Sequence, residues 1–199
     1  VDILSLTSPL GRTTMEGLFE VPTIAPAAPR GQISIASSEG IEVGAAGIEV
    51  YDLTLDNNHA GKVTDISLLG GIVAKNDLTI RDSNPITIDQ PLVAGGDLAI
   101  TTVTAPGGAG GILVDAALSA EAGSVTITSV EDITIDAPVT SVLGGIKVDA
   151  DDEVVVNEGL TAQDGIEVVG DTKIVLTAAA NLLADTGSIS LTSAAGSIA

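Results

Sequence analysis

Apolar and polar residues alternate along most of this chain in short bursts of the form apolar, variable, apolar, as in Leu78-Thr79-Ile80 and Ile86-Thr87-Ile88. Side chains alternate across an extended strand, so each burst predicts a short strand whose flanking aliphatics point inward and whose central residue points out. The bursts recur in a fixed order of three. Ile33, Leu53, Leu78, Leu98, Val125, Ile146, Ile166 and Ile189 open the first burst of each cycle, at spacings of 20, 25, 20, 27, 21, 20 and 23 residues. The second burst opens at Ile41, Ile66, Ile86, Ile112, Ile133, Val154 and Ile174, and the third at Ile48, Ile72, Leu92, Leu118, Val139, Leu160 and Leu182.

A repeat of about 20 residues is the signature of a solenoid. Each cycle predicts one coil of three strands, and the coil supplies the long return path that parallel pairing needs. The expected fold is all-β: a right-handed parallel β-helix over residues 31–199, with about seven to eight three-stranded coils of roughly 20–27 residues. Two cycles carry extra residues between first and second strands, at 56–64 and 101–110. Residues 1–30 stand apart, with four of the eight prolines, and are expected to form a cap or connector. Within them Val1 to Leu6 reads as a strand, and Thr13 with Glu16 as a capping box before Met15, Leu18 and Phe19.

Composition narrows the picture. One Phe, one Tyr and no Trp favour a narrow interior filled by stacked aliphatics over an irregular globular core. The 23 glycines accompany too much apolar residue for disorder and point to turns. A net charge of −20 argues against nucleic acid, whose binding requires Lys and Arg to displace counterions. With no cysteine there is neither a disulfide framework nor a thiolate metal site. No apolar run reaches the ~18 residues of a spanning helix, so membrane insertion by a helix is not expected. The start at Val1, without an initiator Met or a signal-like segment, suggests a processed chain or an excised fragment.

The segments Gly123 to Ile127, Asp132 to Ile135, Gly145 to Val148, Gly159 to Ala162 and Gly165 to Val168 resemble the β-helix repeats of filamentous haemagglutinin-like adhesins and related large secreted bacterial proteins. The resemblance covers about residues 31–199. It implies secretion to the bacterial cell surface or beyond, a rod shape, and a role in adhesion or surface scaffolding without catalysis. The partners it implies are other copies of the chain, or host or cell-surface glycans. The Asn-Pro-type motifs of the secretion domain that opens such adhesins are missing, so a shaft segment or filament subunit fits better.

Several constellations invite chemistry. Glu131, Asp132, Asp149, Asp151, Asp152 and Glu153 fall at or near one corner, and such hard oxygen ligands suit Ca²⁺; solvated surface charge is the alternative, with Lys173 compensating. β-Helices also host carbohydrate-binding and polysaccharide-degrading proteins. Asp151 with Asp152 mimics a hydrolase carboxylate pair, and Arg81 with Asp82 part of a lyase site. His59 lies in a polar loop with no triad partner. Outward Thr54, Thr79 and Thr126 suggest an ice-binding row, which Ala99, Lys147 and Glu167 interrupt. Leu113, Val155 and Val175, with Thr134, predict an apolar stripe along the outer second face, suited to lateral contact. Finally, Ile189, Leu191 and Ile198 belong to a last coil with an open edge. Val1, Ile3 and Leu6 are natural candidates to meet it from the next copy, giving head-to-tail growth.

Overall fold

The computed structural model describes residues 3–8, 13–18, 32–37, 40–57, 65–103 and 110–199. All regular structure among them is strand. The first coil holds β1 (Ile3–Ser8) and β2 (Thr13–Leu18), and the second β3 (Gln32–Ser37) and a long β4 (Ile41–Val50). Three-stranded coils follow: β5 (Asp52–Asn57), β6 (Ile66–Leu68) and β7 (Ile72–Ala74); β8 (Leu78–Asp82), β9 (Ile86–Ile88) and β10 (Leu92–Ala94); β11 (Leu98–Thr102), β12 (Ile112–Val114) and β13 (Leu118–Ala120). The next are β14 (Val125–Ser129), β15 (Ile133–Ile135) and β16 (Val139–Ser141); β17 (Ile146–Ala150), β18 (Glu153–Val156) and β19 (Leu160–Ala162); β20 (Ile166–Gly170), β21 (Lys173–Leu176) and β22 (Leu182–Ala184). A partial coil, β23 (Ile189–Ser193) and β24 (Ser197–Ile198), ends the stack.

The coils form a parallel β-solenoid of about seven complete turns with three sheets. The first sheet stacks nine strands, β1-β3-β5-β8-β11-β14-β17-β20-β23. The second runs from β9 through β12, β15, β18 and β21 to β24, and the third from β2 and β4 through β7, β10, β13, β16 and β19 to β22. The expected register holds strand by strand: Ile33 faces Leu53, Leu53 faces Leu78, Leu98 faces Val125, and Ile166 faces Ile189. The same is true of Ile112, Ile133 and Val154 in the second sheet and of Leu92, Leu118 and Val139 in the third.

Because successive coils repeat the same inward positions, one aliphatic column fills the interior from Ile33 to Ile174, nearly all of it without solvent contact. The corner from third to first strand is narrow and takes small residues, Ala74, Ala94, Ala120, Ser141 and Ala162. In β4 the second and third strands merge: its first half pairs with β6 and its second half with β7. Gly47 makes that possible. It holds φ at +71°, and a Cβ there would lie 2.5 Å from the Gly71 carbonyl oxygen, a position open only to glycine.

One reading of the N-terminal residues changes. Thr13 to Leu18 is a strand, paired with β4 along Thr13–Ile41 and Met15–Val43; the capping-box spelling is overridden by tertiary pairing. In β1, Leu4 and Leu6 stand opposite the inward Ile33 and Ile35, whereas Ile3 stands opposite Gln32. Val1 and His59, and most of the residues between β5 and β6 and between β11 and β12, lie outside the described residues.

Candidate functional site

One set of acidic residues sits where strands begin, and its positions follow from the stack. Asp52, Asp77, Asp97 and Ser124 occupy one column at the start of the first sheet. Each side chain accepts a main-chain N–H from the coil above: Asp77 N donates to Asp52 (3.2 Å), Asp97 N to Asp77 (3.0 Å), Ser124 N to Asp97 (2.8 Å) and Gly145 N to Ser124 (3.3 Å). A carboxylate is a strong acceptor, so these bonds compensate the repulsion between like charges about 4.8 Å apart. The column was not singled out from sequence, although the aligned Asp positions were there to be read.

The corner considered for Ca²⁺ behaves in the same way. Asp132 accepts the Glu153 N–H at 3.0 Å, Glu153 binds the Lys173 ammonium at 2.9 Å, and Asp152 accepts the Thr172 hydroxyl. Asp149 instead pairs with Lys147 at 3.1 Å, on the outer face of the first sheet; that hydrogen bond, with the Coulombic attraction of the same carboxylate, raises the Lys147 pKa. Asp151 and Asp152 are exposed. Among the described residues no three carboxylate or imidazole groups converge on a common point where they could hold a metal ion.

Arg81 and Asp82 separate. Arg81 points outward toward Asp56 at 3.8 Å, while Asp82 is fully buried at the corner between first and second strands. The inward column at that corner reads Asn57, Asp82, Thr102, Ser129, Ala150 and Gly170, one residue per coil. The polar members satisfy the bend: Ser129 donates to the Gly110 carbonyl at 2.7 Å, Thr102 donates to the same carbonyl, and Glu131 N donates to Ser129 at 3.1 Å. Asp82 accepts from the Asn57 amide (3.1 and 3.2 Å), from Ile66 N (2.9 Å) and from Asn84 N (3.0 Å). Burial pushes its pKa up, and the hydrogen bonds from Asn57, Asn84 and Ile66 offset part of the shift.

A shallow groove of about 450 Å³ crosses the first sheet near its C-terminal end. Thr126, Lys147, Glu167 and Ser190 line it over a floor containing Gly145 and Gly165. It offers one carboxylate, where glycoside hydrolysis uses two.

Leu113, Thr134, Val155 and Val175 do align along the second sheet, and each is half-buried. At the far end the interior opens: Ile189 is 45% exposed where Ile166 below it is 1%, and Ile198 is 48% where Ile174 is 0%. Leu191 is partly buried and packs on the column.

No protein-family model matches this chain, and neither a curated protein nor a solved structure is significantly similar to it.

Proposed function

We propose that this chain is a structural, non-enzymatic β-solenoid of a secreted bacterial surface protein, serving as a shaft segment or filament subunit of a fibrous adhesin. The observation that carries the reading is the first sheet, in which nine parallel strands share one inward register. A stack of this kind resists bending and proteolysis because every coil shares its backbone bonds with the next. The likeness of the Gly123–Ile127 and Gly165–Val168 segments to filamentous haemagglutinin-like repeats supports the same reading, as does side-chain chemistry spent on holding coils together.

Assembly is part of the proposal. Ile189, Leu191 and Ile198 gain cover if the end of one stack receives the β1 edge of the next, a head-to-tail contact that does not close and therefore builds fibres. Sedimentation across a concentration series, with electron microscopy of the largest species, tests it. Elongating particles are expected, and they shorten to single stacks in an Ile189→Lys/Ile198→Lys double variant. A globular particle, or elongation untouched by that variant, contradicts the reading.

A further inference from the structure

The ladder of the second sheet starts at β9: β6 pairs with β4, and no ladder joins β6 to β9. Above that break its outer face carries a row unlike those of the other two sheets. Leu113, Thr134, Val155 and Val175 follow one another at successive coils, each only half-buried. At the same coils the outer row of the first sheet reads Ala99, Thr126, Lys147 and Glu167. That of the third reads Ser119, Thr140, Thr161 and Leu183. Three apolar side chains and a Thr methyl therefore make a stripe along the stack, about 14 Å long at about 4.8 Å per coil.

Acids border the stripe on both sides. Asp132 and Glu153 lie two residues before Thr134 and Val155, and both are compensated, Asp132 by the Glu153 N–H and Glu153 by Lys173. Asp115 and Asp136 lie two residues past Leu113 and Thr134, which strand alternation places on the same outer side, and both are exposed. They stack one above the other, since Asp136 N donates to the Val114 carbonyl one residue before Asp115. Asp136 accepts the neutral Asn157 amide at 2.5 Å. Among the described residues the Lys and Arg side chains pair with Glu49, Asp56, Asp149 and Glu153, and none with Asp115 or Asp136. Carboxylates at successive levels repel, so this edge of the stripe favours an incoming cation.

We propose that this face docks a basic amphipathic helix of another protein, its apolar edge along Leu113, Val155 and Val175 and its Lys or Arg residues over Asp115 and Asp136. Charge selects the partner. A second copy laid face to face would set acids against acids on a chain that already carries −20, and a bilayer surface is itself negative. Dimensions suit a helix. Its turn advances 5.4 Å, so over four coils it drifts from the row by only about 2 Å. The acids lie about 7 Å to the side of the row, within reach of Lys side chains flanking a helix about 10 Å across. Three or four turns cover less than the ~800 Å² per partner of a standard interface, so the contact is weak and reversible. The face points sideways and stays open whether or not stacks join end to end.

The test uses the full chain and a fluorescent peptide of two Leu-Ala-Gln-Leu-Lys-Lys-Ala heptads, stapled to hold it helical, beside a permuted copy whose leucines are spread around the helix. Anisotropy is expected to show binding that weakens about tenfold for the permuted copy, and about tenfold in Val155→Thr/Val175→Thr. Asp115→Asn/Asp136→Asn is expected to weaken it about tenfold, and Asp164→Asn/Asp185→Asn, which removes the same charge elsewhere, less than about twofold. Because Asp115→Asn/Asp136→Asn relieves repulsion, it should melt no lower than wild type, so its loss of binding is not unfolding. Equal weakening by the two Asp pairs, equal binding of the permuted peptide, or no binding at all would overturn the proposal. So would sedimentation showing that the chain alone pairs through this face and that Val155→Lys abolishes the pairing, which would give the stripe to a second copy.

Discussion

The main-chain N–H of Ile66 donates to the buried carboxylate of Asp82 at 2.9 Å. Elsewhere in the stack the equivalent N–H serves the coil-to-coil ladder, as Ile112 N does toward the Asp132 carbonyl at 2.9 Å. One side chain therefore takes the place of a ladder bond at the level where the second sheet is broken. Asp82→Ala would leave the Ile66 N–H and the Asn57 amide without this acceptor in a buried corner, and is expected to lower stability at neutral pH by about 1–3 kcal/mol.

That cost should depend on pH in a definite direction. Burial raises the folded-state pKa of Asp82 above 3.8, so folding favours the protonated form. The associated stabilisation is fully present below the unfolded-state pKa and is lost as pH rises through the folded value. The stability gap between the wild-type chain and Asp82→Ala is thus expected to widen as pH is lowered from 7 toward 3. Denaturant titrations of both chains at several pH values check it; a gap that narrows on acidification contradicts the assignment.

Inward and outward neighbours on one strand should differ sharply. Ile80 has no exposed surface, and Ile80→Ala is expected to cost about 2–5 kcal/mol through lost burial and the cavity left behind. Thr79→Ala, on the outer side of the same strand, is expected to stay within about 0.5 kcal/mol. Equilibrium unfolding of the two variants is the measurement.

Gly47→Ala tests the merged strand β4. The left-handed φ alone should cost about 1–2 kcal/mol, and the 2.5 Å approach of a Cβ to the Gly71 carbonyl oxygen adds to it. A melting temperature unchanged from wild type would show that the corner relaxes freely.

The charge columns predict a salt effect. Lys173 meets Glu153 at 2.9 Å with both side chains partly exposed, so Lys173→Ala should cost about 1 kcal/mol or less. Lys173→Glu stacks a third acid above Asp132 and Glu153. It should cost more at low ionic strength, and the excess should shrink in high salt as screening shortens the range of the repulsion.

The register was legible because a period of about 20 residues fixes three inward positions per coil, and Ile33, Ile112 and Leu118 could be placed without coordinates. Thr13 and Glu16 misled because a capping box is a local spelling, while the pairing of Thr13 with Ile41 is set by residues well downstream. The break beside β6 could not be read either, since Ile66 and Ile86 keep the alternating pattern of their neighbours and only the burial of Asp82 reveals where the Ile66 N–H goes. At the acidic corner the compensation by Lys173 could be read and is the Glu153–Lys173 pair, yet sequence could not show that Asp132 is held by the Glu153 N–H.

Distances between spin labels in the first sheet test the stack most directly. Ser34 and Ser190 lie seven strands apart and Thr79 and Ser190 five, so at about 4.8 Å per strand the separations should be about 34 and 24 Å, each as a single narrow distribution. Distances that do not scale with the number of intervening coils, or broad overlapping distributions, would contradict a continuous parallel solenoid and with it the proposed mechanical role.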